Sequence, residues 1–220
     1  MEWAPLVLSL KIATIATVFT VVLGVGLGAL LAWPRLPGRN LLDAILTAPM
    51  VLPPTVLGYY VLVTVGKNSW IEGVWQGLFG TKIVFTFTGA VVAAIVGSLP
   101  FVIKAARTAF EELDPTLVAA ARTLGAGPVR IFWTIRLPLA RAGLLAGAML
   151  GWAKSLGDFG ITMMVIGSRV DDVQPASIFI YDAWQGGRDG AAQRMVLAMT
   201  AVAIVILFVV NHLSRRSPGA

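Results

Sequence analysis

The chain has 220 residues, 57% hydrophobic and only 13% charged, with no cysteine and a formal net charge of +6. That charged share is about half the usual one for a soluble domain, and with a mean hydropathy of +0.83 it excludes a water-soluble fold, because so short a chain cannot hide that much apolar surface. Lacking cysteine, the chain has no disulfide and no cysteine metal site, and with His212 as its single histidine a His-based catalytic dyad or a multi-His metal site is hard to build.

Residues 1–11, MEWAPLVLSLK, are mildly apolar and contain Pro5. No basic stretch precedes the following apolar run and no convincing small-residue cleavage site comes after it, so it does not read as a signal peptide. An interfacial lead-in helix is expected instead. Residues 12–33, IATIATVFTVVLGVGLGALLAW, form the first candidate span, close to the roughly 20 residues a helix needs to cross a bilayer. Its small-residue run from Gly24 to Ala32 suits close helix packing in lipid.

The second candidate span, residues 41–66, holds Pro49, Pro53 and Pro54. Each proline removes a backbone donor and interrupts the helical ladder. In lipid the freed carbonyls need neighbouring helices or cavity water. Two readings stay open, a packing kink and a broken helix lining a path. If this run splits, six spans result rather than five. Residues 83–103, 144–167 and 195–213 complete the five. In the fourth, Lys154 and Asp158 are four residues apart, the spacing of one helix face. A charge within a bilayer costs roughly 3 kcal/mol on insertion scales, so the pair is either self-neutralising or functional.

Basic residues set the orientation. The stretch PRLPGRN, the connection 104–141 and the tail SRRSPGA hold ten of them (two, six and two), whereas Lys67, Lys82, Arg169, Arg188 and Arg194 are the five in the other connections. Glu72, Asp171, Asp172, Asp182 and Asp189 accompany those five. The positive-inside rule places the ten in the cytoplasm, with the N-terminus outside and the C-terminus inside. The basic excess thus reads as membrane topology and not as a nucleic-acid surface.

Within the central connection lies AAARTLGAGPVRIFWTIRLPLA, from Ala119 to Ala140. Asp114 before Pro115 reads as an N-cap followed by proline at the first helical position. Gly125 reads as the stop of that helix. Pro128 starts a second short helix with Phe132, Trp133 and Ile135, ended by Leu137-Pro138 before the next span. Alanines give the first helix a narrow, smooth face, suited to a groove in another protein. An amphipathic pair lying on the lipid surface is the alternative.

The segment resembles the cytoplasmic loop signature of ABC importer permeases, Glu-Ala-Ala, three residues, Gly, nine residues, Ile-x-Leu-Pro. Ala120 and Ala121 match its alanines, Gly125 its glycine, and Ile135, Leu137 and Pro138 its ending, while Ala119 stands where the family usually has glutamate. Together with LLDAILTAPMVLPPTVLGYYVLVTVG and AKSLGDFG, the segment looks like the permease subunit of molybdate importers, a pattern shared in large part by tungstate and sulfate permeases. The resemblance implies an all-α integral membrane fold of about five spans, forming a single transmembrane domain over 1–220. Within it the 104–141 loop carries a coupling helix, with Ala119, Ala120, Ala121, Gly125, Ile135, Leu137 and Pro138 as its docking residues. It also implies a second copy of the chain, two cytoplasmic ATP-binding subunits, an extracytoplasmic oxyanion-binding protein and a bacterial or archaeal cell membrane.

No complete Gly-x-x-x-x-Gly-Lys-Ser/Thr loop is present; GKNSW and GTKIV are fragments of one. The chain is therefore expected to be a transport subunit without ATPase activity, cofactor or metal. An oxyanion path would use Lys154, the hydroxyls of Ser98, Ser155 and Thr162, and backbone amides, because Asp158 repels an anion. Two rival classes are an ion-coupled secondary transporter with Lys154 and Asp158 as its coupling site, and an intramembrane hydrolase. For the latter, no suitable base accompanies Ser155.

Overall fold

A computed structural model describes residues 3–67, 69–170 and 174–215. Asp171, Asp172 and Arg216, which enter the charge argument, lie outside them, as does the side chain of His212. The described elements are helical: α1 (Ala4–Leu31), α2 (Arg39–Thr47) with a 3-10 turn (Ala48–Met50), α3 (Pro54–Val65), α4 (Trp70–Phe79) and α5 (Phe87–Glu111). There follow α6 (Pro115–Thr123), α7 (Pro128–Ile131), a π-helical segment (Phe132–Arg136), α8 (Leu137–Leu156), α9 (Gly160–Ile166), α10 (Ala176–Gln185) and α11 (Asp189–Arg215).

The centre is α5, held between α1 and α8. Small residues make this possible. Gly24 and Gly28 of α1 approach so closely that a Cβ added to them would lie 2.7 Å from Val102 Cγ1 and 2.6 Å from Ala106 Cβ. On the other flank Gly143, Gly147 and Gly151 of α8, each four residues from the next, meet Ala109, Ala105 and Val102 with the same closeness of 2.6 Å. Where lipid tails are as apolar as leucine, such backbone approach is what holds helices together. The outward faces of α1 and α11 keep Val18, Val22, Leu197, Ile204 and Phe208 exposed.

Several expected boundaries move. There is no separate lead-in helix, because α1 starts at Ala4 and runs unbroken for 28 residues with Pro5 in its first turn, where proline costs no hydrogen bond. The second run is broken: α2 and its 3-10 turn meet α3 at 108°, with Pro53 extended at φ −55°, ψ 138° ahead of α3. α5 begins at Phe87 behind a Thr86 cap and continues to Glu111, so Lys104 and Arg107 lie inside a helix. The run 144–167 is α8 and α9, interrupted at residues 157–159. Nor does Leu137-Pro138 end a helix; the chain turns helically from Pro128 to Leu156, with Pro138 in the first turn of α8. Among the described residues, three helices (α1, α5 and the start of α11) are by themselves long and apolar enough to span, and the bent pair makes at most four by that criterion. α8 falls short because Arg141, Lys154 and its glycines dilute its leucines.

Candidate functional site

The end of α5 delivers the chain to a tightly bonded corner. The Asp114 carboxylate accepts from the Thr116 backbone N–H at 2.8 Å, a cap that satisfies one of the orphan donors of α6. The backbone hydrogen bond from Thr116, and then the side-chain one, hold the Asp114 carboxyl below the usual carboxylate range. At the other end, Ala126 N–H donates to Ala121 O and Gly125 N–H to Arg122 O, both at 3.0 Å. This 6→1 and 5→2 pair is a Schellman stop. It puts Gly125 at φ +79°, a conformation open to glycine and strained for most other residues. A Cβ there would meet nothing within 4 Å, so backbone conformation, not crowding, asks for the glycine.

The expected docking residues separate into two groups. Ala121 is buried and Ile135 and Leu137 are half-buried. Leu137 packs with Phe132 onto a cluster of Ala32, Ala106, Ala109, Phe110 and Ala140. Phe110 and Phe132 stand 5.9 Å apart, and the Arg136 guanidinium lies 5.9 Å from the Phe110 ring centre. These residues seat the segment on the body of the protein. Ala119, Ala120, Gly125 and Pro138 face outward. Between the two halves, the π segment inserts an extra residue per turn, with Thr134 Oγ1 donating to Arg130 O at 2.7 Å.

Sequence reasoning missed the apolar neighbours of the alanines. Leu124 is 88% exposed, and Leu117, Val129 and Trp133 are exposed as well. Leu117, Ala120 and Leu124 follow i, i+3, i+7 spacing and share one helix face, a signal that was present in the sequence. The small side chain of Ala120 thus lies between two exposed leucines.

The expected path residues are not gathered in one cavity. Ser98 has no exposed surface. It donates to Ala94 O at 2.7 Å and lies 3.2 Å from Thr20 Oγ1. Ser155 Oγ bonds the same carbonyl at 3.4 Å. Thr162 is buried, and both its N–H (2.9 Å) and its Oγ1 (2.7 Å) donate to Asp158 Oδ2. Asp158 stands in the break and caps α9, so the pair with Lys154 is not on one continuous helix as expected. Lys154 Nζ lies 3.9 Å from Asp158 Oδ1, with side-chain exposures of 34% and 2%. Of the four residues, Lys154 alone is not buried. Separately, α5 and α8 border an open groove of about 370 Å³ lined by Met50, Phe101, Lys104, Thr108, Gly143 and Leu150. Among the described residues no group of three or more metal-ligating side chains exists.

Residues 24–217 match the family model described as "Binding-protein-dependent transport system inner membrane component". The chain belongs to this family of transport permeases. Over 218 residues the permease is 38% identical to the molybdenum transport system permease protein ModB of Escherichia coli (strain K12), covering 98% of this chain and 95% of that one. It is 34% identical to the sulfate transport system permease protein CysW of Synechocystis, covering 96% and 76% respectively. Among solved structures, the inward-facing MetNI methionine ABC transporter superposes with a TM-score of 0.75 at 20% identity, covering 96% of this chain and 93% of that one. This last likeness establishes the fold of the permease. The first two set it within a family that moves substrates across the inner membrane. Two features of the permease stand out against that background: an outward-facing α6 surface closed by a Schellman stop at Gly125, and a central helix flanked by glycine contacts.

Proposed function

We propose that this permease imports a tetrahedral oxyanion, molybdate or tungstate, in an ATP-driven complex. The complex contains two copies of the permease, two cytoplasmic ATP-binding subunits and an extracytoplasmic binding protein. The N-terminus lies outside and the C-terminus inside. The observation that carries the reading is the α6 corner: a capped helix, a Schellman stop at Gly125 and an exposed Leu117–Ala120–Leu124 face. A helix fixed at both ends loses little conformational freedom on binding, and its small central residue admits a partner backbone. Closure of the ATPase pair then reorients the helices through this corner. Lys154 supplies a positive charge to the path, partly neutralised by Asp158, so that the anion is not gripped too tightly for release.

The 38% identity to a molybdenum permease supports molybdate over sulfate, and a sulfate permease at 34% is the second reading. Substrate competition separates them. The complex is reconstituted with its binding protein, and uptake of radiolabelled molybdate is followed against excess tungstate or sulfate. Tungstate is expected to abolish uptake while a hundredfold excess of sulfate leaves it unchanged. Inhibition by sulfate equal to that by tungstate would transfer the assignment to the sulfate class.

A further inference from the structure

The charged residues at the loop end of α5 form one bonded cluster with α2. Lys104 Nζ donates to both oxygens of Asp43, at 3.1 and 2.9 Å. Arg107 Nη1 stands 2.8 Å from Asp43 Oδ2. Arg107 Nε donates to Glu111 Oε1 at 2.9 Å, and Arg39 donates to that same oxygen. Two residues of α2 and three of α5 are thereby joined. The Asp43 and Arg107 side chains are only 18% and 19% exposed, which shields this pair from the screening that makes exposed ion pairs weak.

Apolar packing of α2 is thin. None of its residues is buried, Leu41 and Ile45 are exposed, and Leu42 and Leu46 are half-buried. The ion-pair cluster is therefore a large part of what holds α2 to α5. The other half of the broken run has a different attachment. α3 packs on α9, where a Cβ on Gly58 would lie 2.6 Å from Met164 Cβ, and one on Gly160 would lie 2.7 Å from Pro54 Cβ; α9 in turn packs on the first half of α5, where a Cβ on Gly97 would lie 2.8 Å from Ile161 Cδ1, away from the loop end that holds α2. The two halves meet at 108°. One half is bonded to the last turns of α5, immediately before the Asp114 corner; the other is packed against the far side of the α8–α9 break.

We propose that the Asp43 cluster makes α2 move as one body with the docking loop, and that the bend at residues 51–53 is the hinge on which this body turns against the α3–α9 pair. Asp43, Lys104 and Arg107 are then positioning residues that carry loop motion to the broken span. Met50, at the end of the 3-10 turn, lines the α5–α8 groove together with Lys104, so displacement of α2 reshapes that groove directly. The inference rests on the reading that the loop docks an ATPase.

The test uses the full complex in proteoliposomes and measures ATPase retention, ATP hydrolysis and anion uptake in the same preparation. Asp43→Asn keeps the size of the side chain and removes its charge. Retention and hydrolysis are expected to stay at wild-type level, while anion taken up per ATP hydrolysed falls about tenfold, the scale on which single residues alter coupling. Asp43→Glu is expected to keep most of the coupling. Lys104→Met, at a more exposed position, carries the same expectation as Asp43→Asn and serves if that variant does not accumulate. An unchanged uptake-to-hydrolysis ratio in Asp43→Asn or Lys104→Met overturns the proposal. So does loss of ATPase retention in these variants, which would mean that the cluster shapes the docking loop without transmitting its motion. A wild-type chain that retains no ATPase would refute the docking reading itself, and this proposal with it.

Discussion

Gly147 of α8 faces Ala105 of α5 with no room for a side chain: a Cβ on the glycine would lie 2.6 Å from the alanine Cβ. Both atoms would be fixed to helical backbone, so no rotamer change relieves the clash. The Gly147→Ala variant is expected to push α8 from α5 and lower stability by about 1–3 kcal/mol, the usual cost of overpacking. Gly77→Ala, on α4 with nothing within 4 Å of its added Cβ, is the control and should be neutral or slightly stabilising. Thermal unfolding in detergent distinguishes them; equal melting temperatures would remove the glycine ladder from the account of the fold.

At Asp158 the prediction separates capping from charge. Asp158→Ala leaves the buried N–H and Oγ1 of Thr162 without their acceptor, a loss of about 1–3 kcal/mol. Asp158→Asn retains an oxygen for the cap and should recover most of that stability. If Asn is as damaging as Ala in the same melting experiment, then the charge opposite Lys154, and not the cap of α9, is what the position requires.

The Asp114 cap carries a pH dependence. Its carboxyl is held below the usual range by Thr116, so the folded loop favours the ionised form. The cap's contribution is complete above the unfolded aspartate value of about 3.9 and is lost as pH falls through the lower folded value. Backbone amide exchange at Thr116 should therefore gain protection from the cap at neutral pH and lose it only in strong acid. Asp114→Ala should remove that protection at all pH values. Protection in Asp114→Ala equal to wild type would show that the cap does not hold the loop.

Gly125 gives a sharper test of docking. Asparagine and aspartate both tolerate positive φ better than other side chains, and the space around Gly125 is open. Gly125→Asn should then preserve the corner and keep the ATPase. Gly125→Asp introduces a charge that must be desolvated in the partner groove, and should lose ATPase co-purification and uptake while accumulating normally in the membrane. If the Asp variant holds its ATPase and transports at the original rate, the lipid-surface reading of Ala119–Ala140 is the better one.

Much of this was legible in the sequence, for identifiable reasons. Asp114, Pro115 and Gly125 are local signals, and the helix they bound is where they place it. The break at Pro53-Pro54 was legible as an alternative because proline acts on its own neighbours. The fate of Ser98, Ser155 and Thr162 was not, because hydroxyls directed to Ala94 O and Asp158 depend on which helix faces turn inward. Hydropathy does not reveal that. Nor did it reveal that Lys104 and Arg107, counted as loop charges, bond to Asp43. That pairing joins residues some 60 positions apart, and only the fold brings them together.

The most direct measurement is uptake of labelled molybdate into vesicles holding this chain alone, or this chain with the ATP-binding subunit and the binding protein. Accumulation is expected only in the complete vesicles supplied with ATP, and a proton gradient without ATP should drive none. Accumulation by the chain alone under a proton gradient would contradict ATP-driven import and move Lys154 and Asp158 from path residues to the coupling site of a secondary transporter.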